Sequence, residues 1–252
     1  MPIVVDCDPR LSAEGIDYLV RKSVNVIPSE LVLREMPKLD ASDPDALVRF
    51  MKQYGPLTSP DRNGLRLLPD SERKRFESIG IVPTQSGPIP IAVVSHHVRA
   101  LQAMVAHWDA HQREDDVALI DAWPNAGLPH PHDPLTAWTW WNNHMNAALA
   151  SIAVRVQVQY GEGQWIGEVP RTTAYSAMAV QIFNDISTGT AWRRCANETC
   201  GNLFARQQGR AEAGQHRTTG VRYCTSSCAK AQVERERRRR IAKDRKKGDN
   251  NG

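Results

Sequence analysis

The apolar residues between positions 91 and 112 recur with the period of an α-helix. They follow one another at intervals of four, three, four and three residues: Val94, Val98, Leu101, Val105 and Trp108. Such spacing places them on one face of a helix with about 3.6 residues per turn. The pattern predicts a long helix from Ile91 to Gln112, with His96, His107 and His111 on the opposite, solvated side.

Helix start and stop signals predict three further helices and one short amphipathic piece. Aspartate followed by proline opens two of these helices, because the carboxylate caps free N–H groups and proline suits the first helical position. The expected bounds are 43–55, 133 onward, 172–188 and, for the short piece, 71–79. The segment 122–133, rich in proline, is predicted to be an exposed loop.

β-Branched runs and strict alternation of apolar and polar residues predict short strands. Three runs near the N-terminus favour short strands or a hairpin: 3–5, 18–20 and 31–33. An alternating segment at 154–160, a glycine turn and a returning segment at 164–169 predict a second hairpin. The predicted fold class is therefore α+β, with a predominantly helical body that also holds short strands and a hairpin.

Two features of this body could carry chemistry. Three tryptophans lie close together in the helix that begins near Asp133: Trp138, Trp140 and Trp141. A helical core is the favoured interpretation, ahead of a ligand-binding wall or a dimer interface. His107 and His111 are one turn apart and could share a metal ion, but they lack the glutamate of a zinc-protease motif, which favours a solvated polar face.

Charge divides the chain into two parts of opposite sign. Residues 193–252 contain 16 Lys and Arg against 6 Asp and Glu, a formal +10, whereas residues 1–192 carry a formal −6. Such asymmetry indicates a basic arm that meets a polyanion, attached to a body with another role.

The sequence predicts neither a membrane protein nor an enzyme of a known motif class. It contains no apolar run of about 18 residues, and its start lacks the basic and apolar segments of a secretion signal. A cytoplasmic protein with no membrane partner is expected. Phosphate-loop, His-Glu-x-x-His and Gly-x-Ser-x-Gly patterns are absent, so no enzymatic activity is expected.

Four of the five cysteines form two close pairs in the last quarter of the chain: Cys195, Cys200, Cys224 and Cys228. Four residues separate the first pair, three separate the second, and 23 lie between the pairs. Each pair can reach one tetrahedral ion from a tight turn, and four thiolates with no open position are typical of structural zinc. Disulfides or free thiols are the alternative, which a reducing compartment disfavours.

The segment that follows Cys228 is a helical pattern charged on all sides. Ser226 or Ser227 can cap its start, and a dipole at that end favours a thiolate at Cys228. Its cations are the candidate phosphate contacts: Arg235, Arg237, Arg238, Arg239, Arg240, Lys243, Arg245, Lys246 and Lys247. Cations in such number give affinity for nucleic acid without base contacts, although a solvated tail is the simpler alternative.

The tail resembles the finger of the CGNR zinc-finger family, bacterial proteins described as stress-induced transcription regulators. The resemblance is carried by Cys195, Cys200, Gly201, Phe204, segment 223–228 and the basic helix. Segment 47–57, which ends in Leu after Tyr-Gly-Pro, is also similar to the N-terminal regions of that family. The chain departs from the family pattern at residues 229–231, which are Ala-Lys-Ala where Gly-Asn-Arg is expected, and its second cysteine pair is one residue tighter.

The resemblance and the residues together predict three parts. Residues 1–190 form a mostly helical domain that senses a signal, forms a homodimer, or both, as the resemblance implies. Residues 191–233 form a treble-clef-like four-cysteine finger that binds Zn²⁺, and residues 234–252 form a basic helix or tail. The predicted function is a DNA-binding transcription regulator, with DNA favoured over RNA. The alternative is a zinc-stabilised protein-interaction or RNA-binding module.

Overall fold

The computed structural model describes residues 3–28, 31–58, 70–78, 88–150, 158–161, 164–167, 172–205 and 221–249. The chain divides into two compact units, Met1–Ile186 and Ser187–Gly252. Eight α-helices and three two-stranded antiparallel sheets lie within these described ranges, which confirms a mostly helical α+β chain. Among the described helices, none is both long enough and apolar enough to span a membrane.

The first unit begins with a β-hairpin formed by β1 (Ile3–Leu11) and β2 (Ile16–Val26). The predicted N-terminal hairpin is thereby confirmed. Gly15, at φ +152°, closes its turn, and a Cβ at this position would lie 2.1 Å from the carbonyl oxygen of Ile89. Glycine is required here because Ile89 forms two backbone hydrogen bonds with Ile16, of 2.8 and 2.9 Å.

The run predicted as a third N-terminal strand is instead helical, and that prediction is wrong. It forms α1 (Leu31–Arg34), followed by a 3₁₀ turn at Met36–Lys38. All three apolar residues of the run are buried, whereas a half-exposed strand would bury alternate residues. The side chain of Gln181 holds this turn in place, since it donates to the Pro28 carbonyl at 2.8 Å and accepts from the Val32 amide at 3.4 Å.

The next two helices follow their start and stop signals. They are α2 (Pro44–Tyr54) and α3 (Asp70–Ser78). The Asp43 carboxylate accepts a hydrogen bond from the Asp45 amide at 2.9 Å, and Gly55 ends the helix at φ +101°.

The long helix α4 (Ile91–Gln112) has the predicted bounds, but its polar side is not solvated. His96 is 6% exposed and His107 is fully buried, while His111 is exposed as expected. The expectation for the first two residues is wrong because α4 packs against α5 (Asp116–Asn125) and α6 (Pro134–Ala150). A helix covered on several sides buries its polar residues as well as its apolar stripe.

Helix α5 overlaps the segment 122–133 that was predicted to be a loop, so that prediction is wrong for residues 122–125. Asp115 caps the start of this helix, because its carboxylate accepts a hydrogen bond from the Ala118 amide at 3.0 Å. Pro124 lies in its last turn, which is why proline content was a misleading sign of a loop.

The tryptophans of α6 contribute to an aromatic core. Trp141 is buried and donates its indole N–H to the Met104 carbonyl at 3.2 Å. Trp138 lies edge-on to His107, with ring centroids 4.5 Å apart. Trp123 of α5 is fully buried and donates to Nδ1 of His107 at 3.4 Å. The cluster joins α4, α5 and α6 through apolar contact and indole hydrogen bonds.

The first unit ends with a short hairpin and a helix. Strands β3 (Val158–Gly161) and β4 (Gln164–Gly167) pair antiparallel, as predicted; the remainder of that predicted hairpin lies outside the described residues. Helix α7 (Ala174–Ser187) follows, and Gly189 lies just beyond it at φ +63°. Phe183 of α7 is 46% exposed, whereas Met178 lies on the buried face of the helix.

Acid should destabilise this unit, because three buried histidines are held neutral. Burial above all lowers the pKa of His96 to about 3 and those of His107 and His144 to about 4, from 6.5. Between pH 6.5 and about 4 the unfolded chain therefore binds more protons than the folded chain. We expect the free energy of unfolding to fall as the pH is lowered through that window, measured by urea unfolding with tryptophan fluorescence.

A matched pair of variants tests the cause of this dependence. His144→Gln removes one buried titrating group and should flatten the pH dependence, whereas His132→Gln, at an exposed position, should leave it unchanged. Equal pH dependence in all three proteins would contradict the explanation.

Candidate metal centre

The first cysteine pair lies in the turn of a small hairpin. Strands β5 (Trp192–Arg194) and β6 (Leu203–Ala205) pair antiparallel, and Cys195 directly follows the first strand. The Cys195 amide donates to the Asn202 carbonyl and the Cys200 amide to the Asn197 carbonyl, each at 2.9 Å. These bonds fold residues 195–202 into one tight turn, hereafter the cysteine turn.

Gly201 allows this turn to close. Its φ is +60°, in the left-handed region that glycine adopts without steric cost. Phe204, on the returning strand, is buried together with Trp192 and Leu203.

The second cysteine pair lies at the start of the last helix, α8 (Ser226–Asp249). The Cys228 amide donates to the hydroxyl oxygen of Thr225 at 3.2 Å, so the side-chain cap of the helix is Thr225 and not the predicted serine. The Ala196 amide donates to the Arg222 carbonyl at 2.8 Å. This backbone bond joins the cysteine turn to the segment that carries the second pair.

The sulfur atoms of all four predicted ligands converge. Each lies within 4.8 Å of the others; Cys224 Sγ is 3.6 Å from both Cys200 Sγ and Cys228 Sγ. A disulfide needs about 2.05 Å, and all four cysteines are free thiols. Sulfurs bound at about 2.3 Å around one tetrahedral ion would lie about 3.8 Å apart, so this set can hold a metal ion.

The pKa values of the cysteine thiols are shifted in different directions. The Thr225 hydroxyl contact, followed by the Cys224 thiol, lowers the pKa of Cys228 to about 7. Burial raises the pKa of Cys200, and burial with the neighbouring thiols raises the pKa of Cys224 to about 12. The Cys224 amide donates a hydrogen bond to Cys195 Sγ at 3.4 Å. A divalent cation would allow all four sulfurs to ionise together.

Two of the arginines that were predicted to contact phosphates also contact the cysteine turn. Arg235 donates to Asn197 Oδ1 at 3.0 Å and to Thr199 Oγ1 at 2.9 Å. Arg239 donates two hydrogen bonds to the Glu198 carboxylate, of 2.8 and 2.6 Å. We call this set of contacts the arginine clamp, because it holds the first half of α8 against the turn.

Polar residues that had no predicted role complete the clamp. Gln232 is 4% exposed; its amide donates to Glu198 Oε1 at 3.0 Å and its oxygen accepts from the Glu198 amide at 3.3 Å. Asn197 donates to the Cys228 carbonyl at 3.3 Å. Arg239, followed by Gln232, lowers the pKa of Glu198 to about 2. The sequence did contain a sign of this contact, because its spacing places four residues on one helical face: Cys228, Gln232, Arg235 and Arg239.

The remaining predicted phosphate contacts are arranged differently. Arg237 and Arg238 pair with Glu234 at 2.9 and 3.0 Å, and both stay exposed, as does Arg240. The other four lie on the described backbone of α8, but their side chains fall outside what the structure describes: Lys243, Arg245, Lys246 and Lys247.

The structure does not support a second metal site at His107 and His111 of α4. The indole of Trp138 contacts both histidines, with ring centroids 4.5 Å from His107 and 5.0 Å from His111. Among the described residues, the four cysteines form the one group of three or more His, Cys, Asp or Glu side chains that could share an ion.

No family model matches the chain, and neither the curated proteins nor the solved structures contain a match to it. The interpretation of the metal centre therefore depends on the positions of its own residues.

Removal of one ligand should abolish metal binding. We expect one divalent ion per chain in the protein purified under reducing conditions, and none in Cys200→Ser, because three thiolates leave the tetrahedral site incomplete. Elemental analysis measures the metal content of each protein. Substitution with Co²⁺ reports tetrahedral thiolate coordination through the absorption bands of the ion. Cys7→Ser, which removes a buried cysteine of the first unit, should keep the ion; its loss there would contradict the assignment.

The arginine clamp should contribute to metal affinity. Arg239→Gln removes both bonds to Glu198 and should raise the Co²⁺ dissociation constant by about two- to fivefold, a modest effect because the pair is solvent-exposed. Arg240→Gln, one residue further on, loses the same charge without touching the turn. If both variants weaken Co²⁺ equally, charge alone accounts for the effect and the clamp does not.

Proposed function

We propose that the chain is a zinc-dependent DNA-binding protein that acts as a transcription regulator. The proposal is carried by one observation: a four-sulfur cluster lies at the base of a helix whose outer surface is densely cationic. Within residues 236–240 of α8, four consecutive arginines are exposed. A structural ion and a solvated cationic helix are together suited to hold a phosphate-binding surface in a defined direction.

Zinc is the ion that this ligand set favours. Thiolates are soft ligands, and a tetrahedral set of four without an open position is typical of structural Zn²⁺. The order of elements supports a treble-clef arrangement, since a cysteine turn within a hairpin is followed by a helix whose start carries the second pair. The ion would bind the two pairs and stabilise the small second unit; catalysis is not part of the proposal.

Electrostatics supports nucleic acid as the partner. Residues 193–252 carry a formal charge of +10, which four thiolates and one Zn²⁺ would reduce to about +8. Counterion release from such a surface supplies affinity for phosphate backbones irrespective of sequence. The resemblance to the CGNR family supports DNA and transcription regulation in particular, with the helical first unit as the part that senses a signal or forms a homodimer.

The salt dependence of binding tests the proposal. The zinc-loaded full chain should bind random duplex DNA with an affinity that falls at least about a hundredfold between about 50 and 200 mM salt, as expected for four or more phosphate contacts. Fluorescence anisotropy of a labelled duplex measures this. Absent binding, or affinity that hardly changes with salt, would contradict the proposal, and tighter binding to duplex RNA would favour the RNA-binding alternative.

Substitutions are better suited to this test than a deletion of residues 234–252, because the deletion would also remove the arginine clamp. Arg240→Gln should lower the slope of log affinity against log salt by about one, as expected for one lost phosphate contact. Arg239→Gln is the control, since its guanidinium already contacts Glu198, and it should change the slope less.

A further inference from the structure

The exposed surface of α8 has two different sides. Four residues that contact the cysteine turn or the metal centre lie within about 60° of one another at 100° per residue: Cys228, Gln232, Arg235 and Arg239. About 160° away, five other residues occupy an arc of about 100°: Lys230, Val233, Arg237, Arg240 and Ile241. We call this second set the outer face.

The outer face combines cations with exposed apolar side chains. Val233 is 57% exposed and Ile241 is 42% exposed; they are the two large apolar residues in the part of α8 whose side chains are described. Arg237 lies between them on the helix surface, with Lys230 and Arg240 at the edges. A purely solubilising helix has no need of such residues, and both lie on the side away from the cysteine turn.

The dimensions of the outer face suit the major groove of B-form DNA. From Lys230 to Ile241 the helix rises about 16 Å, and the groove is about 12 Å wide and admits an α-helix. The groove is bordered by phosphates, and the thymine methyl group is the apolar group on its floor. Duplex RNA offers neither feature, because its major groove is narrow and deep and uracil lacks the methyl group.

We infer that the outer face of α8 enters the major groove, with Val233 and Ile241 against thymine methyl groups and Lys230 and Arg240 on the flanking phosphates. This inference rests on the proposed DNA-binding function and adds to it a surface that contacts base edges. Arg237 pairs with Glu234 at 2.9 Å, so it reaches a phosphate only by exchanging that partner. The clamp keeps the opposite side of the helix on the cysteine turn, which directs the outer face outward.

Replacement of thymine by deoxyuridine isolates the proposed contact. A duplex is first selected from a random pool by the zinc-loaded full chain, and its thymines are then replaced one at a time, which deletes a single methyl group from the groove. We expect the wild-type chain to lose about three- to tenfold in affinity at one or two positions. The double variant Val233→Ser with Ile241→Ser should bind the thymine duplex more weakly and lose nothing further on replacement.

A matched variant controls for the effect of introducing two serines into α8. Ala231→Ser with Ala242→Ser changes two exposed residues outside the outer face, and it should respond to deoxyuridine as the wild type does. Circular dichroism and metal content check that helix and ion are intact in every variant.

The remaining outcomes overturn the inference in distinguishable ways. If DNA binding depends on salt but is insensitive to every methyl deletion, the outer face does not lie in the major groove, and the proposed function still holds. A wild-type dimer that becomes monomeric in Val233→Ser with Ile241→Ser, with DNA affinity unchanged, assigns the face to a second copy of the chain. No binding to any duplex refutes both the proposed function and this inference.

Discussion

Four sulfur atoms within 4.8 Å of one another can all be thiolates only if a cation lies among them. This constraint governs the second unit, whose strands are three residues long and whose described apolar core is limited to a few side chains. Hairpins of that size are marginal in water, and small units commonly depend on a metal for their stability. An ion bound here would stabilise the second unit as the hydrophobic core stabilises the first.

Polar contacts then fix the direction of the helix relative to the cysteine turn. Asn197, Glu198 and Gln232 connect the turn to α8 near the sulfurs, and Arg235 and Arg239 extend the connection by two helical turns. The basic residues of the helix therefore fall into two groups. Some hold the helix against the cysteine turn, while others stay exposed, and a count of charges along the sequence does not distinguish the two groups.

What could be predicted from the sequence was what depends on local spacing. The clustering of the four cysteines was predicted because each pair has the spacing of a metal-binding turn, and the bounds of α2 and α4 were predicted because their caps and apolar periods are local. The buried state of His96 and His107 was missed, since it depends on α5 and α6 covering a second side of α4. Helix α5 was missed because Pro124, at its end, has the same local appearance as a residue in a loop.

The clamp was missed for a related reason. Arg235 and Arg239 belong to a run of similar residues, and only the folded position of Glu198 and Asn197, more than 35 positions earlier in the chain, gives those two a different partner. Helical spacing from Cys228 could have selected them, because a residue on the same face as a metal ligand must lie near the other half of the site.

X-ray absorption at the zinc edge can decide whether one ion joins both cysteine pairs. Measured on the reduced full chain, the spectrum should show a first shell of four sulfurs at about 2.3 Å. A shell that contains nitrogen or oxygen, or a protein that carries no zinc and keeps these cysteines apart, would contradict the account.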